Sequence, residues 1–326
     1  MQLVDSLLVA SGLFRHRTLR LFLVDGSPSG LITAEIMNWS GHVLTGPRSK
    51  LQDLLKRTEV RRTGVYFLVG PDPDAPSRVL LYVGETDEIG QRLVQHNKPE
   101  DKGGKDFWEK VCVVSSKDQN LTKAHVRYLE SALIRAVREI SRAKLINGTE
   151  PPTPLLPESD IADMDYFLEQ IRVVLPVLGF EFLRSRPSLP PRDEEHLSSA
   201  VSPMFFMDIK RHRLHAEGCE VDGEFVVLSG SKTRPEWAST YASYKSLYDQ
   251  LVDDGVLSSV ENGTRQFLSD YAFSSPSAAA AIVSGRPANG RTSWVVSGGG
   301  QTYADWQEQQ IAESNPVVTS DLATGV

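Results

Sequence analysis

The chain has 326 residues, of which 40% are hydrophobic and 24% charged, the usage of an ordinary globular protein with room for more than one domain. No apolar run is long enough to span a bilayer, and the opening Met1-Gln2-Leu3-Val4-Asp5 carries an acid where a leader would be basic, so a cytoplasmic chain with no membrane partner is expected. The net charge of −7 argues against nucleic acid, but it is unevenly spread: 22 Lys+Arg face 17 Asp+Glu from Met1 to Asn147, a net +5, and 13 face 25 thereafter, a net −12. The first part is therefore expected to meet a polyanion, weakly and with salt sensitivity, and the second is not. Cys112 and Cys219 stand alone in strand-like apolar runs and read as buried thiols, not as a disulfide or metal framework.

Taken in order, residues 1–62 read as a β-rich extension packed on the neighbouring 63–148 unit. Strands are expected over 20–24 and 31–36, around the turn cluster Asp25-Gly26-Ser27-Pro28-Ser29-Gly30. Leu51, Leu54 and Leu55 have helical spacing. Residues 63–148 form a compact α+β unit. Strands over 65–70 and 79–85 are joined by a Pro-rich turn at 71–77 and read as an antiparallel hairpin. Side-chain alternation then puts Tyr66 on one face with Leu68, and Tyr82 with Leu80. Asp87 is the expected cap of a helix reaching His96, with Ile89 and Leu93 inward. A third strand covers 110–116. Asn120 is the expected cap of a long helix over 121–144, striped by Val126, Leu129, Leu133, Val137 and Ile140.

Residues 149–203 read as Pro-rich linkers carrying one helix over 161–175. Residues 204–310 form a separate C-terminal α+β domain, with a strand over 225–228 and a helix over 241–252. Ser275-Pro276-Ser277 is a helix start and Gly285 a helix stop. This domain shows no catalytic constellation, and 311–326 reads as a disordered tail. No helix-turn-helix or zinc-finger signature stands out.

The chemistry concentrates in 64–147. Gly64-Val65-Tyr66, then Tyr82-Val83-Gly84, then Arg92, His96, Glu130 and Asn147, come one after another in an order that resembles the GIY-YIG nuclease superfamily. That family includes homing endonucleases, some restriction enzymes and the incising subunit of nucleotide-excision repair. The C-terminal part resembles an uncharacterised domain fused to such nucleases in many bacterial proteins. The resemblance implies a divalent-metal-dependent endonuclease acting on DNA.

Each residue has two readings. Tyr66 is either a core tyrosine or, as the resemblance implies, a general base near the attacking water. A phenol near pKa 10 needs a cation or metal to lower it for that task. Tyr82 either orients water or packs. Arg92 and His96 stand four apart on one helix face, either solvated or turned to the scissile phosphate. His96 either donates to phosphate, assists the base or has no catalytic part. Glu130 lies beside an apolar stripe and needs a partner. That partner is either Arg127 or Arg135, or the Mg²⁺ (or Mn²⁺) that the resemblance implies; one protein carboxylate suffices for Mg²⁺. The basic side chains from Lys123 to Lys144 suit either solvent or a phosphate backbone. Asn147, before Gly148, is a turn residue that the resemblance makes a brace of the site.

One departure stands out. Much of the family has a basic or amide residue after the second triplet, whereas this chain has Glu85-Thr86. Glu85 either repels phosphate or adds a metal or water ligand. Two other readings therefore stand beside the endonuclease: a DNA-binding scaffold without turnover, and a protein-partner module acting through the acidic C-terminal half.

Overall fold

The computed structural model describes residues 16–73, 78–148, 151–185, 187, 202–260, 263–298 and 300–314. The chain divides into two α+β units, one ending at Arg184 and one beginning at Ser185. The expectations for Met1–Asp5, for most of the 71–77 turn, for most of the 184–203 linker and for the last twelve residues lie outside the described residues. No helix among the described residues is long and apolar enough to cross a membrane.

The first unit is built on a seven-stranded sheet. Its strands are β1 (Leu19–Leu23), β2 (Ile32–Ile36), β3 (Gly41–Pro47), β4 (Gly64–Pro71), β5 (Val79–Thr86), β6 (Lys110–Ser116) and β7 (Ala143–Leu145), in the order β1-β2-β3-β6-β4-β5-β7. Neighbours are antiparallel except β5 and β7, which run parallel. Strand alternation splits the hydrophobic residues between two faces. Val65, Phe67, Val69, Leu81 and Val83 share one cluster with Val126, Leu129 and Leu133 of the long helix. Tyr66, Leu68, Val111 and Val113 share the other with Leu51, Leu54, Ile89, Leu93 and Trp108. Four short or long helices serve these faces: α1 (Leu51–Leu54), α2 (Ile89–His96), α3 (Lys123–Ile140) and α4 (Glu158–Val177).

Several boundaries differ from the sequence reading, each for a local reason. Glu88, not Asp87, is the N-cap of α2, and it makes no side-chain cap bond. Thr122, not Asn120, caps α3: its side chain accepts from the His125 backbone while the His125 ring accepts from the Thr122 N–H, a reciprocal capping box. The helix stops at Ile140 because Ser141 turns left-handed, at φ 55°. The chain then pairs beside β5 as β7, with Leu81 opposite Leu145. Arg142 and Lys144 therefore leave the helix, and the basic stripe expected along it is broken. The helix expected within a linker is α4, which belongs to the first unit: Phe167, Ile171 and Val174 are buried in the same cluster as α3.

The second unit holds β8 (Phe205–Ile209), β9 (Leu214–Val221), β10 (Glu224–Val227), β11 (Lys232–Thr233), α5 (Lys245–Asp253), β12 (Leu257–Val260), β13 (Thr264–Phe267), β14 (Tyr271–Phe273), α6 (Pro276–Ser284), α7 (Gly290–Ser293), β15 (Val295–Val296) and α8 (Tyr303–Ser314). One sheet runs β14-β10-β9-β8-β15 and a smaller one β11-β13-β12. Helix α6 starts and stops as its sequence predicts. The Ser275 side chain accepts from the Ala278 N–H, Pro276 sits in the first turn, and Gly285 closes it at φ 60°. Its four alanines are buried, with Ala278, Ala279 and Ala280 in the core that holds Phe225 and Trp294. Helix α5 begins at Lys245 rather than 241 because Tyr244 is left-handed. Helix α8 runs to Ser314, past the expected end of the domain at 310. Both cysteines are buried free thiols; burial pushes Cys219 up to about 11.

Candidate functional site

The β4–β5 hairpin sets the first half of the site. Its register places Tyr66 opposite Gly84 and Leu68 opposite Tyr82, so both tyrosines lie on the α2 face, with ring centroids 6.2 Å apart. The glycines of the two triplets have a steric reason. A Cβ on Gly84 would stand 2.3 Å from the Tyr66 hydroxyl, and a Cβ on Gly64 2.3 Å from the Val114 carbonyl oxygen. Gly84 therefore makes the space that the Tyr66 ring occupies.

Helix α2 brings Arg92 and His96 to the same place. The Tyr66 hydroxyl is 2.8 Å from His96 Nε2, and both side chains are buried. Burial lowers the His96 pKa to about 4, with the Arg92 and Lys105 cations adding to the effect, so the imidazole is neutral at pH 7. Burial also pushes the Tyr66 phenol well above its usual range, and Tyr82 adds to this, while Arg92 acts in the opposite sense. Tyr66 is thus a hydroxyl, not a resting phenolate. This is the reverse of the lowered pKa that a free-standing base requires. Arg92 itself holds the Gln95 side chain at 2.6 Å.

Two residues here escaped the sequence reading. Lys105 Nζ lies 4.3 Å from the centroid of the Tyr82 ring, and its backbone N–H donates to the His96 carbonyl at 2.9 Å. Arg48 stacks over Trp108 at 4.7 Å and donates to Asn97 Oδ1 at 2.9 Å and Asp106 Oδ1 at 3.1 Å, pinning the loop that carries Lys105. The one sequence signal was Gly103-Gly104. Gly103 turns left-handed at φ 77°, and a Cβ on Gly104 would stand 1.6 Å from the Lys98 carbonyl oxygen. Only glycines let that loop fold back on α2.

The second half lies on the other face of the sheet. Glu130 projects from α3 and is half-buried. Burial first, and the neighbouring Glu85 carboxylate after it, raise its pKa to about 7, against weaker opposition from Lys123, a hydrogen bond with the Glu85 backbone and Arg127. Neither of the expected arginine partners takes it. Arg127 is 3.8 Å from Glu85, and Arg135 donates to Thr153 at 3.0 Å. Glu85 is held by Lys123 at 2.6 Å, and Lys123 also approaches Asp87 at 3.5 Å. Asn147 clamps the strand between the two halves: its side-chain oxygen accepts from the Val83 N–H at 3.1 Å and its amide donates to the Val83 carbonyl at 2.7 Å. It continues the ladder beyond β7 and fixes β5 between Tyr82 and Gly84.

Tyr66, Tyr82, Arg92 and His96 therefore lie together, and Glu130, on α3, neighbours Glu85 of β5. An open cleft of about 650 Å³ at the end of β5 is lined by Arg92 and Gln91 on one side and by Glu85 and Lys123 on the other. Among the described residues no group of three or more His, Cys, Asp and Glu side chains gathers to hold a metal. Glu130 and Glu85 are neighbouring hard oxygen donors, and the Glu85 carboxylate makes ionisation of Glu130 costlier. That donor set fits Mg²⁺ or Mn²⁺ with water and phosphate filling the remaining positions.

Residues 205–307 match the family described as a domain of unknown function, DUF4357. No GIY-YIG match accompanies it. No curated protein and no solved structure matches the chain. The matched stretch lies within the 204–310 region read from sequence as an uncharacterised domain.

Proposed function

We infer that residues 64–147 form the catalytic part of a divalent-metal-dependent endonuclease, of GIY-YIG type, that hydrolyses DNA phosphodiester bonds. The observation that carries this reading is the 2.8 Å contact between the Tyr66 hydroxyl and a neutral His96, with Arg92 beside it. A buried phenolate is costly, so Tyr66 works as a relay. Its oxygen takes the proton of the attacking water while its own proton passes to His96 Nε2. The negative phosphodiester, once bound, offsets the repulsion that Arg92 and Lys105 exert on an imidazolium. Arg92 holds a non-bridging phosphate oxygen and opposes the charge that develops there. Lys105 supplies a second cation at Tyr82. Asn147 keeps β5 in register. Glu130, with Glu85 beside it, would hold Mg²⁺ or Mn²⁺, which supplies Lewis-acid stabilisation of the phosphoryl and leaving oxygens when bound.

A second reading, DNA binding without turnover, is favoured by one observation: Tyr66 is 0% exposed, so the attacking water has no open path to it. Supercoiled plasmid with Mg²⁺ or Mn²⁺ separates the two. Metal-dependent nicking that disappears in Glu130→Gln supports the endonuclease. Retained binding with no nicking of plasmid, branched, damaged or single-stranded DNA supports the scaffold.

A further inference from the structure

The −12 charge of residues 148–326 directs attention away from them as a polyanion-binding part. The fold of the second unit gathers its cations against that trend. The turn between β8 and β9 presents Arg211 and His212, and Arg213 closes it left-handed at φ 52°. Arg234 comes directly after β11, where its backbone N–H donates to the Val283 carbonyl at 3.2 Å and its guanidinium bonds His212 Nε2. Gly285, at the end of α6, lies against the same arginine: a Cβ there would stand 3.0 Å from Arg234 Cβ. The next residue is the exposed Arg286. Arg265, on β13, donates to the Pro235 carbonyl at 2.9 Å. Three of these arginines, Arg234, Arg211 and Arg286, are close enough to His212 to hold its pKa down alongside desolvation. Among the described residues none of Arg211, Arg234, Arg265 and Arg286 has a carboxylate at ion-pair distance, whereas His215 and Lys245 of the same unit do.

Beside these arginines lies an open hollow of about 350 Å³, lined by His212, Arg234, Glu236 and the backbone of Gly263. A second hollow shares Pro235 and Glu236 with it and is lined by Trp237, Lys245 and Arg265 and by the carboxylates of Asp249 and Asp253, so the cations that a polyanion meets are those around His212. The Trp237 indole N–H donates to the Tyr241 carbonyl at 3.0 Å, and Tyr241 is 74% exposed. We propose that this arginine cluster, with the exposed ring of Tyr241, is a binding surface for a single strand of nucleic acid. Glu236 inside the first hollow disfavours a lone anion, which would meet the carboxylate together with the cations. A polymer passing over the hollows reaches several guanidinium groups at once, those of Arg211, Arg234 and Arg286 around His212 and that of Arg265 beside Pro235. Guanidinium groups match phosphodiester oxygens in pairs, and an exposed aromatic ring gives a base a stacking surface. The surface uses none of the residues of the 64–147 site, and it stands whether or not that site cuts.

The test uses the full chain in EDTA, so that binding is read without cleavage. A fluorescein-labelled 30-nucleotide DNA is titrated at several salt concentrations, with wild type, an R211A/R286A double variant and Tyr241→Ala. Each replaced residue is exposed. R211A/R286A should bind roughly tenfold or more weakly and lose about 1.4 from the slope of log affinity against log salt, at about 0.7 per phosphate contact on a single strand. Tyr241→Ala should weaken binding about tenfold with the slope unchanged. Unchanged affinity and slope in R211A/R286A would overturn the proposal. So would binding of anionic vesicles or a phosphopeptide in preference to DNA. Plasmid nicking by the same proteins separates the two readings. Nicking with Arg-independent binding leaves the endonuclease standing and this surface refuted; binding that depends on Arg211 and Arg286 without any nicking does the reverse.

Discussion

Replacing Glu130 with glutamine should abolish metal-dependent cleavage and, in the absence of metal, make the protein more stable. The folded chain holds the Glu130 proton up to about pH 7, against an ordinary value of 4.5. The folded state therefore binds more protons than the unfolded state between those values, and stability falls as pH rises through that window. Above pH 7 the whole cost of the buried charge is present. A displacement of that size corresponds to roughly 3 kcal/mol at about 1.4 kcal/mol per tenfold. Glu130 is only half-buried, so solvent screening reduces this to about 1–2 kcal/mol. Glutamine keeps the shape and never ionises. At pH 8.5 in EDTA, Glu130→Gln should melt about 2–8 °C above wild type, given roughly 2–4 °C per kcal/mol for a unit of this size. At pH 4.5 the two should melt together. Adding Mg²⁺ at pH 8.5 should stabilise wild type and leave the variant unmoved. Thermal unfolding at the two pH values, with and without Mg²⁺, is the assay. A variant less stable than wild type at pH 8.5, or equally stabilised by Mg²⁺, would refute the view that Glu130 is a carboxylate kept for a cation.

Tyr66→Phe should lose the His96 hydrogen bond, at about 1 kcal/mol of stability, and reduce cleavage by two or more orders of magnitude in a plasmid assay; a variant that cleaves normally removes Tyr66 from the chemistry. Arg92→Ala should lose about a hundredfold or more in cleavage rate with its melting temperature nearly unchanged. Gly84→Ala should cost about 1–3 kcal/mol and suppress cleavage, because its methyl group would stand 2.3 Å from the Tyr66 hydroxyl and push the ring away from His96; a melting temperature equal to wild type counts against that packing argument. Lys105→Ala should weaken DNA binding at low salt by severalfold and Lys105→Arg should restore it, as measured by anisotropy in EDTA.

The α+β class, the β4–β5 hairpin and the inward faces of α2 and α3 were legible in the sequence because period-2 and period-3.6 hydrophobicity are local signals. The start and stop of α6 were legible for a similar reason: Ser275, Pro276 and Gly285 act on backbone groups within one turn of themselves. Boundaries that depend on a partner elsewhere were not. Residues 143–145 are a strand only because β5 offers them an unpaired edge, and α4 belongs to the first unit only because Phe167, Ile171 and Val174 find α3. The spacing of Arg92 and His96 gave their shared helix face. That His96 is neutral, that Tyr66 is a buried hydroxyl and that Lys105 covers Tyr82 are properties of the packed state, since desolvation and approach do not exist in a chain read one residue at a time. Gly84 shows both levels together. Its identity was in the sequence, and its reason, the Tyr66 ring crossing the space where a Cβ would be, exists only once β4 and β5 are paired. The same holds for charge: the sum over residues 148–326 is acidic whatever the fold, but an electric field depends on distance, and the fold brings Arg211, Arg234 and Arg286 from three separate stretches to one rim.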